Sequence, residues 1–482
     1  MLDELRNERV KKLELLKSAG KDPYPARLTR THRIGDVRDS FGILVKSKKR
    51  IAIVGRVRGL RKQGSLIFAD LEDESGSLQL VVKKEDFSEF TLFYDALDIG
   101  DFLNAFGTVF ETKRGEKSLA VKKMAMLSKS LLPLPSQWHG LTDAETRFRK
   151  RYLDILFNSE TKKLFEKKAA FWNSIRRSLL GEGFLEVETP VLETIPGGAE
   201  AEPFVTHHNA LNQDFYLRIS LELPLKRLMV AGFEKVFEIG RIFRNEGIDA
   251  EHLQDYTQME MYWAYQDYHG LMKFLEKTLK SAIKETCGKL VTVRDGKTIA
   301  WGKKWPRLDY YTLFKKGTGI DLSTTTHEAL LAKAMSLNIP GVSREMGEGR
   351  LIDLLFKHTV RHTLIQPAFL INPPLTLEPL AKRSEEDSNR VERFQIVACG
   401  TELGKGFSEL NDPLDQRKRF EDQMALRERG DKEAQMIDED YLEAMEYGMP
   451  PTAGFGVSER FFAILMDKPV RETVIFPLVR KK

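Results

Sequence analysis

The spacing of apolar positions changes along the chain, and each change predicts a different kind of element. Leu2, Leu5, Val10, Leu13 and Leu16 recur at near-helical spacing among lysines and arginines. That predicts a basic amphipathic helix, which Pro23 and Pro25 end. From 51 to 127 the period drops to two. IAIVGRVRGL, SLIFADLED, SLQLVVK, DFLNAFGTVFE and KSLAVKKMAML alternate apolar and polar residues between Gly, Asp, Glu and Lys turns. Five strands in about eighty residues predict a small barrel. An OB-fold is one such barrel and binds single-stranded nucleic acid by stacking. LPLP breaks the alternation, so 131–158 reads as a linker. Leu164, Phe165, Phe171, Ile175 and Leu179 then predict a helix over 160–182, ended by Gly181 and Gly183. FLEVETP follows as a strand running into Pro190.

Residues 236–265 predict an antiparallel hairpin with a long polar tip. Period two sorts its side chains. Phe237, Ile239 and Phe243 share a face with Arg241, and Met259, Met261, Trp263 and Tyr265 fall on one face of the second strand. Glu238, Arg244 and Glu246, with Gln258, Glu260 and Tyr262, fall on the opposite faces. One side is therefore a floor for a core, and the other gathers charge. Buried charge is costly unless a ligand or partner compensates it. A half-exposed sheet with one wet face produces the same pattern.

Composition narrows the class. The 482 residues suffice for two or three domains, and 41% hydrophobic with 30% charged is ordinary for a globular protein. A net charge of +5 permits nucleic-acid binding without arguing for it. Cys287 and Cys399 lie far apart, which points to a reducing compartment and away from zinc. The charged start is no signal peptide, and no apolar run reaches the ~18 residues of a membrane span. A soluble cytoplasmic protein is expected. Residues 266–365 are mostly helical in texture, with a polar, turn-rich portion around 291–326.

FRNEG, a histidine-bearing loop and YTQMEMYWAY resemble motif 2 of the class II aminoacyl-tRNA synthetases, and the wording is similar to the lysyl-tRNA synthetase branch. The helix before FLEVETPVLETIPGG, with its strand and proline, resembles motif 1, and EYGMPPTAGFGVSERFFAILM resembles motif 3. HGLTDAETRFRKRYLD, PAFLINPPLTLEPLAKR and RETVIFPLVRKK are family-like as well, so the resemblance covers nearly the whole chain. There is one departure. The lysyl pattern has three alternating glycines before an acid and arginine, whereas GFGVSER has two and is one residue shorter.

The resemblance implies roles for particular residues. Arg244 would hold the α-phosphate and carboxylate, and Arg460 the γ-phosphate; these are the catalytic pair. A guanidinium suits such groups bidentately. Glu246, His252 and Tyr256 would complete the ATP site, with Tyr256 stacked on adenine over the floor of Gly454 and Gly456. Gly198, Glu222, Glu260, Tyr262, Asn411 and Asp415 would bind lysine. Glu402 and Glu409 would hold Mg²⁺ bridging the phosphates, as hard oxygen ligands do. Arg61, Phe68 and Gln79 would read the anticodon. Spacing alone places Phe68 in the barrel core, makes Glu222 a surface charge and leaves Glu402 and Glu409 solvated. Ser458 reads as a helix N-cap that puts Arg460 in a first turn.

The expected chain is α+β. It has an N-terminal helix and lead-in (1–48), a five-stranded OB-fold anticodon-binding barrel (49–130), a linker (131–158) and a class II catalytic domain (159–482). The last would be an antiparallel sheet flanked by helices, with motif 1 at about 165–192, motif 2 at about 234–265, an insertion at about 270–365 and motif 3 at about 450–470. The implied activity is ATP-dependent: L-lysine becomes lysyl-adenylate with Mg²⁺, then passes to the 3′ end of tRNA(Lys). The implied assembly is a homodimer through motif 1, with no membrane association. Two alternatives stay open. An aspartyl- or asparaginyl-tRNA ligase shares this architecture but calls for a cation-rich pocket. A catalytically dead relative that only binds tRNA has no need of Arg244, Glu402, Glu409 and Arg460.

Overall fold

The computed structural model describes residues 2–135, 143–247, 253–344, 346–428 and 434–480. Contacts divide the chain into two units, Met1–Thr142 and Asp143–Lys482.

In the first unit five strands close into a barrel: β1 (Ile51–Gln63), β2 (Leu66–Asp73), β3 (Gly76–Lys83), β4 (Phe102–Glu111) and β5 (Lys117–Ser128), ordered β1-β2-β3-β5-β4. Period two decides which side chains fill it. Ile67, Ala69 and Leu71 are buried in the core. Phe68, of opposite parity, is half-buried on the outer face, so the core position that spacing assigned to it is corrected. Residues 1–48 are more than a lead-in. Leu16, Ile34, Val37, Phe41 and Leu44 belong to the barrel's own core.

The second unit is built on an eight-stranded sheet. Its order is Arg307–Asp309, Ala368–Ile371, Arg393–Ala398, Thr401–Ser408, Thr452–Ser458, Asp255–Ala264, Lys235–Phe243 and Leu185–Glu186. The two edge strands pair in parallel and the inner pairs are antiparallel. The antiparallel hairpin forms, with Phe237 opposite Met261 and Glu238 opposite Glu260. Helices Ser159–Gly181 and Tyr268–Cys287 cover one face, where Phe171, Ile175, Leu271 and Leu275 pack with Phe237, Met259 and Met261. Tyr265 leaves that face: it follows the strand's end with φ 61° and is 70% exposed.

Several expected boundaries move. Residues 143–158 carry helices Ala144–Arg149 and Arg151–Phe157. Buried Arg151 pairs with buried Asp154 at 2.9 Å and donates to the carbonyls of Glu472 and Val474, so this stretch is part of the second unit and not a linker. The expected insertion at about 270–365 contributes helix Tyr268–Cys287 to the main core and Arg307–Asp309 to the main sheet. The strand before Pro190 shrinks to Leu185–Glu186, because Thr189 gives its N–H to the Glu238 carboxylate and not to a neighbouring strand.

Candidate active site

The polar face of the sheet floors a cavity of ≈ 840 Å³. Strand register lays out the floor in rows. Arg393, Phe407, Gly454 and Tyr262 lie side by side across four strands, and Gln395, Lys405, Gly456 and Glu260 form the next row. The two glycines sit in the middle, where any side chain would fill the space. A Cβ on Gly454 would come 2.1 Å from Glu409 Oε1 and 2.5 Å from Tyr262 Cε1, whereas one on Gly456 meets nothing closer than Glu260 Cγ at 3.4 Å.

One end of the cavity is acidic. Buried Glu260 accepts from Ser220 Oγ (2.7 Å), Leu221 N (3.1 Å) and Gln258 Nε2 (2.5 Å) on one oxygen, and from Tyr262 OH (3.0 Å) on the other. Four donors compensate the burial of this carboxylate. Glu222 opens helix Glu222–Val230, and Lys226, one turn on, donates to it at 2.6 Å. Lys226 also pairs with Glu409 from the facing strand, and all three side chains are buried. Burial pushes Glu222 up to about 7 and Glu409 well above the carboxylate range. Gly198 closes this end with φ +80°, where a Cβ would lie 2.8 Å from that of Glu222.

The other end is cationic. Arg244 donates to the Ile219 carbonyl at 3.2 Å and lies 5.8 Å from the Tyr256 ring centre. Burial raises the Tyr256 hydroxyl pKa, which the charges of Arg244 and Arg460 oppose. Arg460 lines the cavity from the first residue of helix Arg460–Leu465. Glu402 accepts from Gln395 Nε2 at 2.5 Å. Glu378 joins Lys405 at 2.7 Å and Arg393 at 3.5 Å; burial alone would raise it, and the two cations hold it low.

Glu402 and Glu409 both line this cavity, because a register shift opposite Ile396 and Val397 restores the parity that a spacing of seven would break. They sit at different points along that wall, and Glu409 also pairs with Lys226, an ion pair that a metal shared by the two carboxylates would have to displace. Among the described residues no three His, Cys, Asp or Glu form a metal-binding group. Glu402 fits Mg²⁺, which usually takes one or two carboxylates and completes its shell with substrate phosphates and water.

Other expectations also change. Asn411 accepts from Lys382 Nζ (2.6 Å) and donates to the Met449 carbonyl (3.2 Å), and it does not line the cavity. Asp415 lines the cavity, but Arg383 and Arg419 clamp its carboxylate and drive its pKa down against burial. Glu246 acts on the cavity through Tyr256, whose hydroxyl pKa its charge helps raise, and Glu238 is held by Arg218 and Thr189. His252 lies outside the described residues. Glu459, not Ser458, holds the N-cap position before Arg460; Ser458 ends the strand, and its Oγ accepts from Arg460 N at 3.4 Å.

Lys226, Lys405 and Gln395 escaped the sequence reading. Lys226 carried a signal, an i,i+4 spacing from Glu222. Lys405 and Gln395 are defined only by register across strands.

On the barrel, Arg61 pairs with Phe68 across β1 and β2, its guanidinium 5.8 Å from the ring centre. Gln79, opposite Asp70 on β3, accepts from Ser118 Oγ at 3.1 Å.

Comparison with known proteins agrees with this geometry. Residues 143–480 match the family described as "tRNA synthetases class II (D, K and N)", and 51–127 match "OB-fold nucleic acid binding domain". A curated lysine–tRNA ligase of Roseiflexus castenholzii is 45% identical across 100% of this chain and 99% of its own length. Those of Moorella thermoacetica and Chloroflexus aurantiacus are 44% and 41% identical, across 100% of this chain and 98% and 99% of their own lengths. The chain belongs to the class II tRNA synthetases of the D, K and N group.

Proposed function

We propose that the protein is an ATP-dependent lysine–tRNA ligase. One observation carries this reading: a single cavity joins an arginine-lined end to an end walled by Glu222, Glu260 and Glu409. The first suits a polyphosphate, the second an amino acid bearing an extra ammonium. An aspartate or asparagine pocket calls for the opposite charge.

Among the described residues the cavity holds no obvious nucleophile, and the reaction asks for none. The lysine carboxylate attacks the α-phosphorus of ATP, the bond to the pyrophosphate leaving group breaks, and lysyl-adenylate forms. The protein's part is alignment and charge neutralisation. Arg244 neutralises the α-phosphate and the lysine carboxylate, Arg460 the γ-phosphate, and Tyr256 packs on adenine above Gly456. Glu402 is the side chain that would hold a Mg²⁺ arriving with ATP, which when bound supplies further neutralisation of the phosphates. The carboxylates hold the lysine ammonium groups and disfavour substrates that leave them unpaired. The terminal ribose of tRNA(Lys) then takes the lysine, while Arg61, Phe68 and Gln79 read the anticodon by stacking and edge contacts.

A cytoplasmic homodimer is the assembly we infer. No helix among the described residues is long and apolar enough to cross a membrane. Leu180, Leu185, Leu192 and Val205 expose apolar surface around the motif 1 segment, as a two-fold interface requires. The direct test is aminoacylation: ATP-dependent attachment of radiolabelled lysine to a tRNA(Lys) transcript supports the reading, and no labelled tRNA overturns it.

A further inference from the structure

Three consecutive residues at the end of the glycine strand point different ways. Arg460 faces the cavity. Glu459 and Phe461, on either side, turn away and are fully buried. Both are gripped by helix Ser159–Gly181. Its Lys168 ion-pairs with Glu459, and its Phe171 packs on Phe461 and Phe462 with ring centres 5.9 Å away in each case. Lys168 and Phe171 are three apart and so lie on one helix face. The grip has further anchors. Lys168 Nζ donates to the Thr473 carbonyl at 2.9 Å, and Glu459 N donates to the Thr257 carbonyl at 3.0 Å.

This arrangement is costly as pure stability. Glu459 is a carboxylate in the protein interior, its Oε1 finds no hydrogen-bond partner among the described residues, and burial raises its pKa. A buried pair of this kind is weak evidence for stability, and an apolar pair often does as well. What it does fix is direction. The helix Arg460–Leu465 has only six residues and its N-cap makes no side-chain cap bond, so the Lys168–Glu459 pair ties its start directly to helix Ser159–Gly181.

We propose that Lys168, outside the cavity, is a positioning residue for Arg460: through Glu459 it sets the angle at which that arginine meets the terminal phosphate of ATP. The proposal rests on the ligase reading and refines it. It makes a distinction between the two steps. Adenylate formation involves the β- and γ-phosphates, whereas transfer to tRNA begins after pyrophosphate has left. A misaimed Arg460 therefore harms the first step only.

The experiment uses the full-length enzyme and Lys168→Met, with Lys168→Arg as the conservative control. Lysine-dependent ATP–pyrophosphate exchange reports the first step. Single-turnover transfer from preformed, enzyme-bound lysyl-adenylate to tRNA(Lys) reports the second. Lys168→Met should raise the KM for ATP and slow exchange by on the order of ten- to a hundredfold, as a small misplacement of a charged group does. The KM for lysine and the transfer rate should stay unchanged, and Lys168→Arg should recover most of the loss. Unchanged exchange, or equal losses in both steps, overturns the proposal. Should Lys168→Met fail to fold, Lys168→Met with Glu459→Gln, which buries no unpaired charge, enters the same assays with the same expected and contrary results. A wild-type enzyme without lysine-dependent exchange contradicts the ligase reading instead.

Discussion

Lys226 and Glu222 face each other across one turn of a helix, Nζ to Oε1 at 2.6 Å, and neither is open to solvent. Glu409 meets the same ammonium from the facing strand. Two carboxyl groups thus share one built-in cation in the wall of a cavity that receives another. Burial works against the Lys226 charge, but Glu222 and Glu409 outweigh it and keep it cationic. Burial raises both acids, so near neutrality this trio holds an extra proton.

Lysine binding should therefore depend on pH. A substrate ammonium needs an ionised acceptor, and Glu222 carries a proton below about 7. The KM for lysine should fall as pH rises towards that value, by up to about tenfold per unit, and level off above it. The KM for ATP gives the baseline. Stability of the empty enzyme runs the other way. Between 4.5 and about 7 the folded state holds a proton that the unfolded chain releases, so Tm should drop as pH rises through that window. A pH-independent KM for lysine removes Glu222 from the binding set.

The floor glycines should differ in their tolerance of alanine. Gly454→Ala drives a methyl into Glu409 and Tyr262, at 2.5 Å or closer, so lysine-dependent exchange should fall by about a hundredfold. Gly456→Ala fits the empty protein. Any rise in its KM for ATP then measures how closely the nucleotide lies on that strand, and an unaffected KM puts adenine elsewhere.

Glu402 and Glu409 should separate cleanly. Glu402→Gln should raise the Mg²⁺ concentration needed for half-maximal exchange and leave the KM for lysine alone. Glu409→Gln should do the reverse. If both variants shift the Mg²⁺ requirement equally, the pair acts together despite its spread along one strand.

Much of this site was legible as a list of residues and little of it as an arrangement. The parity of Met259 and Met261 against Glu260 and Tyr262 told core from cavity, because a strand alternates without exception until it bulges. Glu402 and Glu409 show the exception: a register shift keeps both on the cavity face despite their odd spacing, and nothing beside them in the sequence announces Lys226, which pairs with Glu409. Asp415 and Asn411 sit in a familiar phrase, yet Arg383 and Lys382 occupy them from elsewhere in the chain, beside Arg419 one turn along Asp415's own helix. Such partners are set by tertiary packing, which no local pattern records. Phe68 misled too: spacing put it in the barrel core, but its parity is opposite to that of Ile67 and Ala69, and the structure places it on the barrel's outer face.

That exposure makes Phe68→Ala a clean test of the barrel. A half-buried outer ring should contribute about 1 kcal/mol or less to stability. Loss of a stacked base should cost ~1–3 kcal/mol of tRNA binding, about ten- to a hundredfold in the KM for tRNA. Pyrophosphate exchange needs no anticodon and should not change. A stable variant with an unaltered KM for tRNA excludes Phe68 from the interface.

The central claim is that the acidic end of the cavity selects lysine. ATP–pyrophosphate exchange measured separately with each of the twenty amino acids tests it most directly. Exchange driven by lysine far above every other amino acid is the expected result. Exchange driven best by aspartate or asparagine, or by none of the twenty, contradicts it.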